Sequence, residues 1–119
     1  MKTLQRNFTT PEQSKRLLEL GLPADSADLM YDISEIERET YDFPTFVYGR
    51  FSRYTDGLYV PCWSVGRLIA IFETCTSTKF ERWSHKGVFR PLLEDCIAHI
   101  EFALNPDTIM KFDFSKLEE

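Results

Sequence analysis

Cysteine and histidine are the residue types in this chain that could carry metal chemistry. Cys96 and His99 are three residues apart, and residues at that spacing share one face of a helix. With Cys62 or Cys75 they could supply the thiolate and imidazole ligands of a tetrahedral zinc site. The motif occurs once, and the other two cysteines are distant in the sequence. We therefore expect no metal and no cofactor.

A cysteine nucleophile paired with a histidine base is the second chemistry that these residue types allow. The candidate thiols are Cys62 and Cys96, and the candidate bases are His85 and His99. No third group that would orient the base can be named, so the sequence does not favour an enzyme. The three cysteines are an odd number in apolar surroundings, which predicts buried, reduced thiols instead of a disulfide scaffold.

Adjacent carboxylates could serve as an acid and a base, but their spacing argues against this here. Neighbouring residues on a helix point in different directions, so Glu94 and Asp95 do not converge on one substrate. We interpret this pair, and the pair Glu118 and Glu119, as solvated surface.

Cations interleaved with aromatic residues form the most distinctive pattern in the chain. Residues 79–90 have a net charge of +3 and include three aromatic rings, and residues 46–54 repeat the pattern. If the two segments are neighbouring strands, their shared face would offer stacking rings beside cations, as single-stranded nucleic acid requires. The candidate nucleic-acid-binding residues are Arg50, Arg53, Lys79, Arg82, Trp83, Lys86 and Arg90. Alternation in a strand would instead turn half of the rings inward and leave the cations as a solvated face.

A cluster of acids precedes that region. Residues 25–42 contain seven acidic residues and one base, Arg38, so this segment has a net charge of −6. The segment is either a plain solvated loop or an acidic docking segment for a basic partner. The chain as a whole has a net charge of −5, which disfavours sequence-independent binding to phosphate backbones.

The composition indicates a folded protein without membrane-spanning segments. The chain has 119 residues, of which 43% are apolar and 28% are charged. The longest apolar run, Leu68 to Phe72, is much shorter than the roughly 20 residues of a transmembrane helix. It is also shorter than the apolar core of a secretory signal, so we expect a cytoplasmic protein.

Helices must position these residues, and four segments have helical patterns. The first begins at Thr10, where Gln13 completes a capping box, and ends at Gly21. A short second helix over 23–31 would complete an N-terminal helical hairpin. The two longer helices cover 65–74, after the N-cap residue Ser64, and 92–104, which has a wide apolar stripe.

Period-two patterns predict the strands. We expect strands over 46–54 and 58–60, joined by a turn at Asp56 and Gly57. Pro61 would end the second strand or place it at a sheet edge. A further strand is expected over 78–83, followed by a turn at 85–87 and a short continuation at 88–89. The tail after residue 107 alternates and predicts an extended segment.

Trp63 is expected to lie in the core. It directly precedes the N-cap Ser64, and Leu68 is the fourth residue of the following helix. These positions form a hydrophobic staple at a helix entrance.

The elements together predict one α+β domain over residues 1–119. We expect a small antiparallel sheet, two longer helices on one of its faces and the N-terminal helical hairpin. Residues 1–9 and 115–119 are expected to be loose, and residues 32–43 to form an acidic loop.

Three stretches resemble a known group of proteins. They are Thr10–Tyr31, Val60–Leu68 and Leu93–His99, and the most specific part is Pro61, Trp63 and Ser64 before a leucine-rich helix. In this order they resemble short, uncharacterised proteins of prophages and other mobile elements of Bacteroides-type gut bacteria. The resemblance implies a cytoplasmic accessory protein of a mobile element and supplies no catalytic residues.

The sequence therefore favours a non-enzymatic interaction module that binds another protein or a second copy of itself. The alternative function is a single-stranded nucleic-acid-associated accessory protein that uses the basic and aromatic strand face.

Overall fold

The structure, a computed structural model, describes residues 7–32, 44–47, 59–108 and 111–118. These residues form three α-helices and two small antiparallel sheets, so the predicted α+β class is confirmed. Their contacts divide the chain into two compact units, residues 8–64 and residues 65–119 with 1–7. We call them the N-terminal unit and the C-terminal unit and describe each by itself. The expectation of one domain stays a prediction.

The first helix of the N-terminal unit, α1, covers Pro11–Glu19 and begins as predicted. The amide of Gln13 donates to Thr10 Oγ1 at 3.1 Å, and the amide of Thr10 donates to Gln13 Oε1 at 2.9 Å. This capping box satisfies two amides that have no partner within the helix. After the helix, Gly21 has a φ of +104°, a conformation that favours glycine.

The predicted second helix over 23–31 is wrong beyond Ser26. Only a single 3-10 turn forms, over Ala24–Ser26, and the chain then enters strand β1, Leu29–Asp32. Strand β1 lies between two antiparallel neighbours, β2 (Thr45–Phe46) and β3 (Tyr59–Cys62). Pairing on both sides satisfies more backbone groups than one short helix can, so the non-local partners decide the local conformation.

Among the described strands, β3 is the outer one next to β1, in agreement with the edge position that Pro61 predicts. Leu29 pairs with Cys62 and Asp32 with Tyr59 in a continuous register. The predicted partner of β3 was the strand over 46–54, whereas its described partner is β1. Residues 48–58, with the turn at Asp56 and Gly57, and residues 33–43 of the predicted acidic loop lie outside the described residues.

Of residues 1–9, which we expected to be loose, residues 1–6 lie outside the described residues, and Thr9 is held in place by hydrogen bonds. Thr9 is fully buried, and its Oγ1 accepts from the amide of Trp63 at 3.1 Å. Its carbonyl oxygen accepts from the hydroxyl of Tyr31 at 2.6 Å. Thr9 Oγ1 also lies 2.7 Å from the hydroxyl of Ser14. A buried threonine has to satisfy its polar atoms, and this network does so within the N-terminal unit.

The C-terminal unit is built on two helices that the sequence predicted, α2 (Val65–Thr76) and α3 (Leu92–Leu104). They pack on each other, and each has a buried apolar face that includes a cysteine, Cys75 in α2 and Cys96 in α3. The chain ends in a 3-10 turn over Phe114–Glu118 instead of the extended, loose tail that we expected. The amide of Asp113 donates to the carbonyl of Cys75 at 2.9 Å and fastens this tail to α2.

Between α2 and α3 the predicted strand over 78–83 does not form. The described strands are β4 (Ser84–His85) and β5 (Val88–Phe89), which pair as a hairpin around the predicted turn. Lys86 and Gly87 have φ values of +52° and +80°, as a two-residue hairpin turn with positive φ at both positions requires. No helix among the described residues is long and apolar enough to cross a membrane.

The burial of Trp63 is confirmed. The side chain is fully buried, and its indole N–H donates to Ser26 Oγ at 3.0 Å. The pairing with Leu68 stays a prediction, as does the placement of the two longer helices on one face of the three-stranded sheet.

We expect Trp63→Ala to lower the free energy of unfolding by about 3–5 kcal/mol, because it leaves a cavity in the core and removes the hydrogen bond from the indole to Ser26 Oγ. Urea unfolding followed by circular dichroism measures the loss. Val88→Ala, at a side chain that is 70% exposed, is the control and should stay within about 0.5 kcal/mol. A loss below about 1 kcal/mol for Trp63→Ala would contradict a core position.

Candidate functional site

The predicted basic and aromatic residues that the structure describes lie on one exposed segment of the C-terminal unit. Arg50 and Arg53 lie outside the described residues, whereas the other five candidates fall within residues 79–90. Lys79, Arg82, Trp83, Lys86 and Arg90 are all exposed. These five residues lie on a short hairpin and on the segment before it, not on a long strand, and their role in binding stays a prediction.

One side of the hairpin forms an open concavity of about 660 Å³. The pairing of His85 with Val88 and of Ser84 with Phe89 fixes the register of the two strands. Two exposed apolar side chains line this concavity, Val88 by 70% and Trp83 by 40%, whereas Phe89, which is 54% exposed, does not line it. We name the following residues the hairpin surface: Trp83, His85, Lys86, Val88, Phe89 and Arg90.

Arg82, a predicted binding residue, is instead occupied within the protein. Its Nε lies 3.3 Å from Asp95 Oδ2, and its Nη2 donates to the carbonyl of Arg90 at 2.6 Å. Its guanidinium carbon lies 5.3 Å from the centre of the Phe89 ring. These three contacts connect both ends of the hairpin to α3, so we assign the partly exposed Arg82 a role in holding the hairpin in place.

Asp95, which we interpreted as solvated surface, is fully buried, so that interpretation is wrong for this residue and correct for the exposed Glu94. Asp95 Oδ2 accepts from the amide of Trp83 at 3.2 Å in addition to its contact with Arg82. The spacing to His99, one helical turn later within an apolar stripe, is the signal in the sequence that could have revealed a buried polar pair.

His99 is buried and lies within an aromatic box. Its ring stacks on Trp83 with 3.7 Å between ring centres and an angle of 21°. Phe80 lies 4.4 Å away, and Phe72 meets the ring edge-on at 5.2 Å. Both ring nitrogens are engaged, Nδ1 with the carbonyl oxygen of Asp95 and Nε2 with that of Glu81, each at 2.7 Å. His99 thus fixes one face of Trp83 from below.

The three cysteines are buried and unpaired, as the sequence predicts. Desolvation by burial raises the pKa of each thiol, Cys62, Cys75 and Cys96, from 9.0 to about 11. Nearby carboxylates contribute in the same direction, Asp28 at Cys62, Asp113 at Cys75 and Asp95 at Cys96. A nucleophilic or zinc-binding cysteine requires the opposite environment, one that stabilises the thiolate.

No metal-binding cluster is formed by the part of the chain that the structure describes. None of its histidine, cysteine, aspartate and glutamate side chains gather in a group of three or more. His99, the imidazole of the predicted zinc motif, already uses both of its nitrogens on carbonyl oxygens.

A second, smaller concavity of about 470 Å³ lies in the N-terminal unit, between α1 and strand β3. Its lining includes Leu18, Val60 and Pro61, with Glu12 and Lys15 at its rim. It combines one charge of each sign with apolar residues and lacks the exposed aromatic rings of the hairpin surface.

Comparisons with protein-family models, with curated proteins and with solved structures find no match to this chain. The function is therefore inferred from the residues of the hairpin surface.

The raised thiol pKa values predict slow alkylation of the folded protein. At pH 9 about half of the thiols of an unfolded chain are ionised, whereas thiols with a pKa of about 11 remain almost fully protonated. We expect iodoacetamide to modify all three cysteines far more slowly in buffer than in urea, as measured by mass spectrometry. Rapid modification of one thiol in the folded protein would contradict this assignment.

Asp95→Asn should destabilise the protein by about 3–5 kcal/mol, because it removes the buried carboxylate shared by Arg82 and His99. Glu94→Gln is the matched control. It makes the same chemical change one residue earlier, at an exposed position, and should change the stability by less than about 0.5 kcal/mol. Urea unfolding of both variants measures the difference, and equal losses would show that the carboxylate has no special role.

Proposed function

We propose that this chain is a protein-interaction module that docks on its partner through the hairpin surface. The observation that carries the proposal is the exposure of large apolar side chains next to cations on one hairpin. Phe102, whose ring meets Trp83 edge-on at 5.7 Å and is 46% exposed, extends the apolar area onto α3. Exposed apolar residues that form a contiguous group are typical of interaction sites.

The residue types support a protein partner. Tryptophan, phenylalanine and arginine are enriched in the centres of protein interfaces, and tryptophan and arginine dominate their binding energy. Burying the surface that Val88 and Phe89 still expose, 70% and 54%, would contribute about 1–2 kcal/mol each. Trp83 is already fixed by its stacking on His99, so little conformational entropy is lost when a partner covers it.

The charges indicate the character of the partner. Lys79, Lys86 and Arg90 form no salt bridge with any residue that the structure describes. Their free charges favour a partner with carboxylates around an apolar patch, because complementary charge speeds association and selects partners. A second copy of the chain meets the charge requirement, since its residues 25–42 have a net charge of −6. From the resemblance to mobile-element proteins we also propose that the chain has an accessory role in the cytoplasm.

One observation favours single-stranded nucleic acid as a second candidate. One ring face of Trp83 is stacked on His99, and the ring also lines a concavity with Lys86 and Arg90. An aromatic platform beside cations is the arrangement on which an unpaired base stacks while its phosphates meet the cations. The negative net charge of the chain and the internal role of Arg82 count against this candidate.

A comparison of two charge-adding variants tests the leading proposal. The partner is first captured with a photo-crosslinking amino acid at position 88, identified, purified and then titrated with the uncrosslinked full chain by calorimetry. We expect Val88→Glu to weaken binding at least about tenfold, which corresponds to about 1.4 kcal/mol. Ala70→Glu, which adds the same charge at an exposed position of α2, should leave the affinity within about twofold.

The remaining outcomes decide between the partners. Sedimentation of the chain alone shows whether the partner is a second copy, and a dimer that Val88→Glu dissociates would establish this. A labelled single-stranded oligothymidine in about 50 mM salt tests the second candidate. Salt-dependent binding of the oligonucleotide that Arg90→Glu abolishes would favour the nucleic-acid function over the protein-interaction function. If Val88→Glu and Ala70→Glu change the affinity for the purified partner equally, the hairpin surface is not the docking site and the leading proposal is refuted.

A further inference from the structure

The two hydrogen-bond partners of the His99 ring define its protonation state. Nδ1 lies 2.7 Å from the carbonyl oxygen of Asp95, and Nε2 lies 2.7 Å from the carbonyl oxygen of Glu81. A carbonyl oxygen can only accept a hydrogen bond, so each nitrogen must donate. A neutral imidazole has one N–H, whereas an imidazolium has two. Both contacts are satisfied together only by the doubly protonated ring.

The surroundings of the His99 ring include a carboxylate that would balance the positive charge of an imidazolium. His99 is 2% exposed, and Asp95 Oδ1 lies 3.3 Å from its Nδ1. Among the described residues this buried carboxylate oxygen has no hydrogen-bond partner, so a positive charge on the nearby imidazole would stabilise it. The carboxylate shares its other oxygen with Arg82, so one anion lies between two cations.

The aromatic box is suited to a cation as well. The ring of Trp83 lies parallel to the imidazole at 3.7 Å, and Phe80 follows at 4.4 Å. The faces of aromatic rings carry negative partial charge, and tryptophan attracts cations most strongly. A positive ring held against Trp83 is therefore fixed by the stacking partner as well as by its two hydrogen bonds.

We infer that His99 is a doubly protonated imidazolium and that in this form it acts as the positioning residue for Trp83 in the hairpin surface. Its charge connects α3 to the segment before the hairpin at two points, the carbonyl oxygen of Glu81 and the ring of Trp83. A neutral ring would set a lone pair against one of the two carbonyl oxygens and lose the electrostatic part of the stacking. The consequence for partner binding rests on the proposed function, whereas the proton state and the stacking do not.

Nuclear magnetic resonance of the 15N-labelled full chain at neutral pH tests the proton state directly. Long-range 15N–1H spectra distinguish a ring nitrogen that carries hydrogen from one that does not. His85, which is exposed on the hairpin, is the internal reference, and His85→Gln assigns the two sets of signals. We expect both nitrogens of His99 to carry hydrogen. An unprotonated nitrogen at either position overturns the inference.

Fluorescence tests the contact with Trp83 and needs no binding partner. An imidazolium stacked on an excited indole accepts an electron and quenches its emission, so Trp83 should emit weakly in the native chain. His99→Phe keeps an aromatic ring in the box but removes the charge, and we expect the emission to rise several-fold. The rise should be absent when Trp83→Phe is added, which assigns it to Trp83 and not to Trp63.

An unchanged emission in a folded His99→Phe variant would overturn the positioning role. If this variant does not fold, the spectra of the native chain still decide the proton state. If Val88→Glu does not weaken partner binding, the proposed function is refuted, but neither spectroscopic result changes. Failure of the proposed function can therefore be distinguished from failure of the inference about His99.

Discussion

The buried carboxylate of Asp95 is the constraint on which the C-terminal unit depends. It has no exposed surface, yet its two oxygens face a guanidinium, an imidazole and the backbone amide of Trp83. A buried charge is tolerated only when it is paired and hydrogen-bonded. Residues 81–83 must therefore lie against α3 for the helix to be stable, and the hairpin that follows starts from a fixed position.

This constraint explains why the segment before the hairpin is not a strand. In place of a neighbouring strand, side chains of the two helices bind its backbone: Glu73 of α2 accepts from the amide of Phe80, and Asp95 of α3 accepts from the amide of Trp83. The segment satisfies its polar groups without a ladder and presents its aromatic rings to His99. An exposed hairpin with apolar side chains on a rigid base is the result.

The sequence predicted the elements that local signals define and missed those that distant partners define. Thr10 and Gln13 mark the beginning of α1 by themselves, and the apolar stripes of α2 and α3 require no knowledge of their neighbours. Strand β1 was predicted as a helix because its partner Tyr59–Cys62 is far away in the sequence. The exposed cations of the site were predictable from charge, whereas alternation wrongly predicted a strand over 78–83, and the burial of Asp95 depends on tertiary contacts.

Pro61 has a consequence for the whole chain in solution. An edge strand normally offers a row of unpaired amides on which strands of other molecules can grow into aggregates. Among the described strands β3 is an outer one, and it carries a proline at its third position, so its row of donors is interrupted. A proline at this position removes one donor that an added strand would need, which disfavours the addition of strands from other molecules along β3.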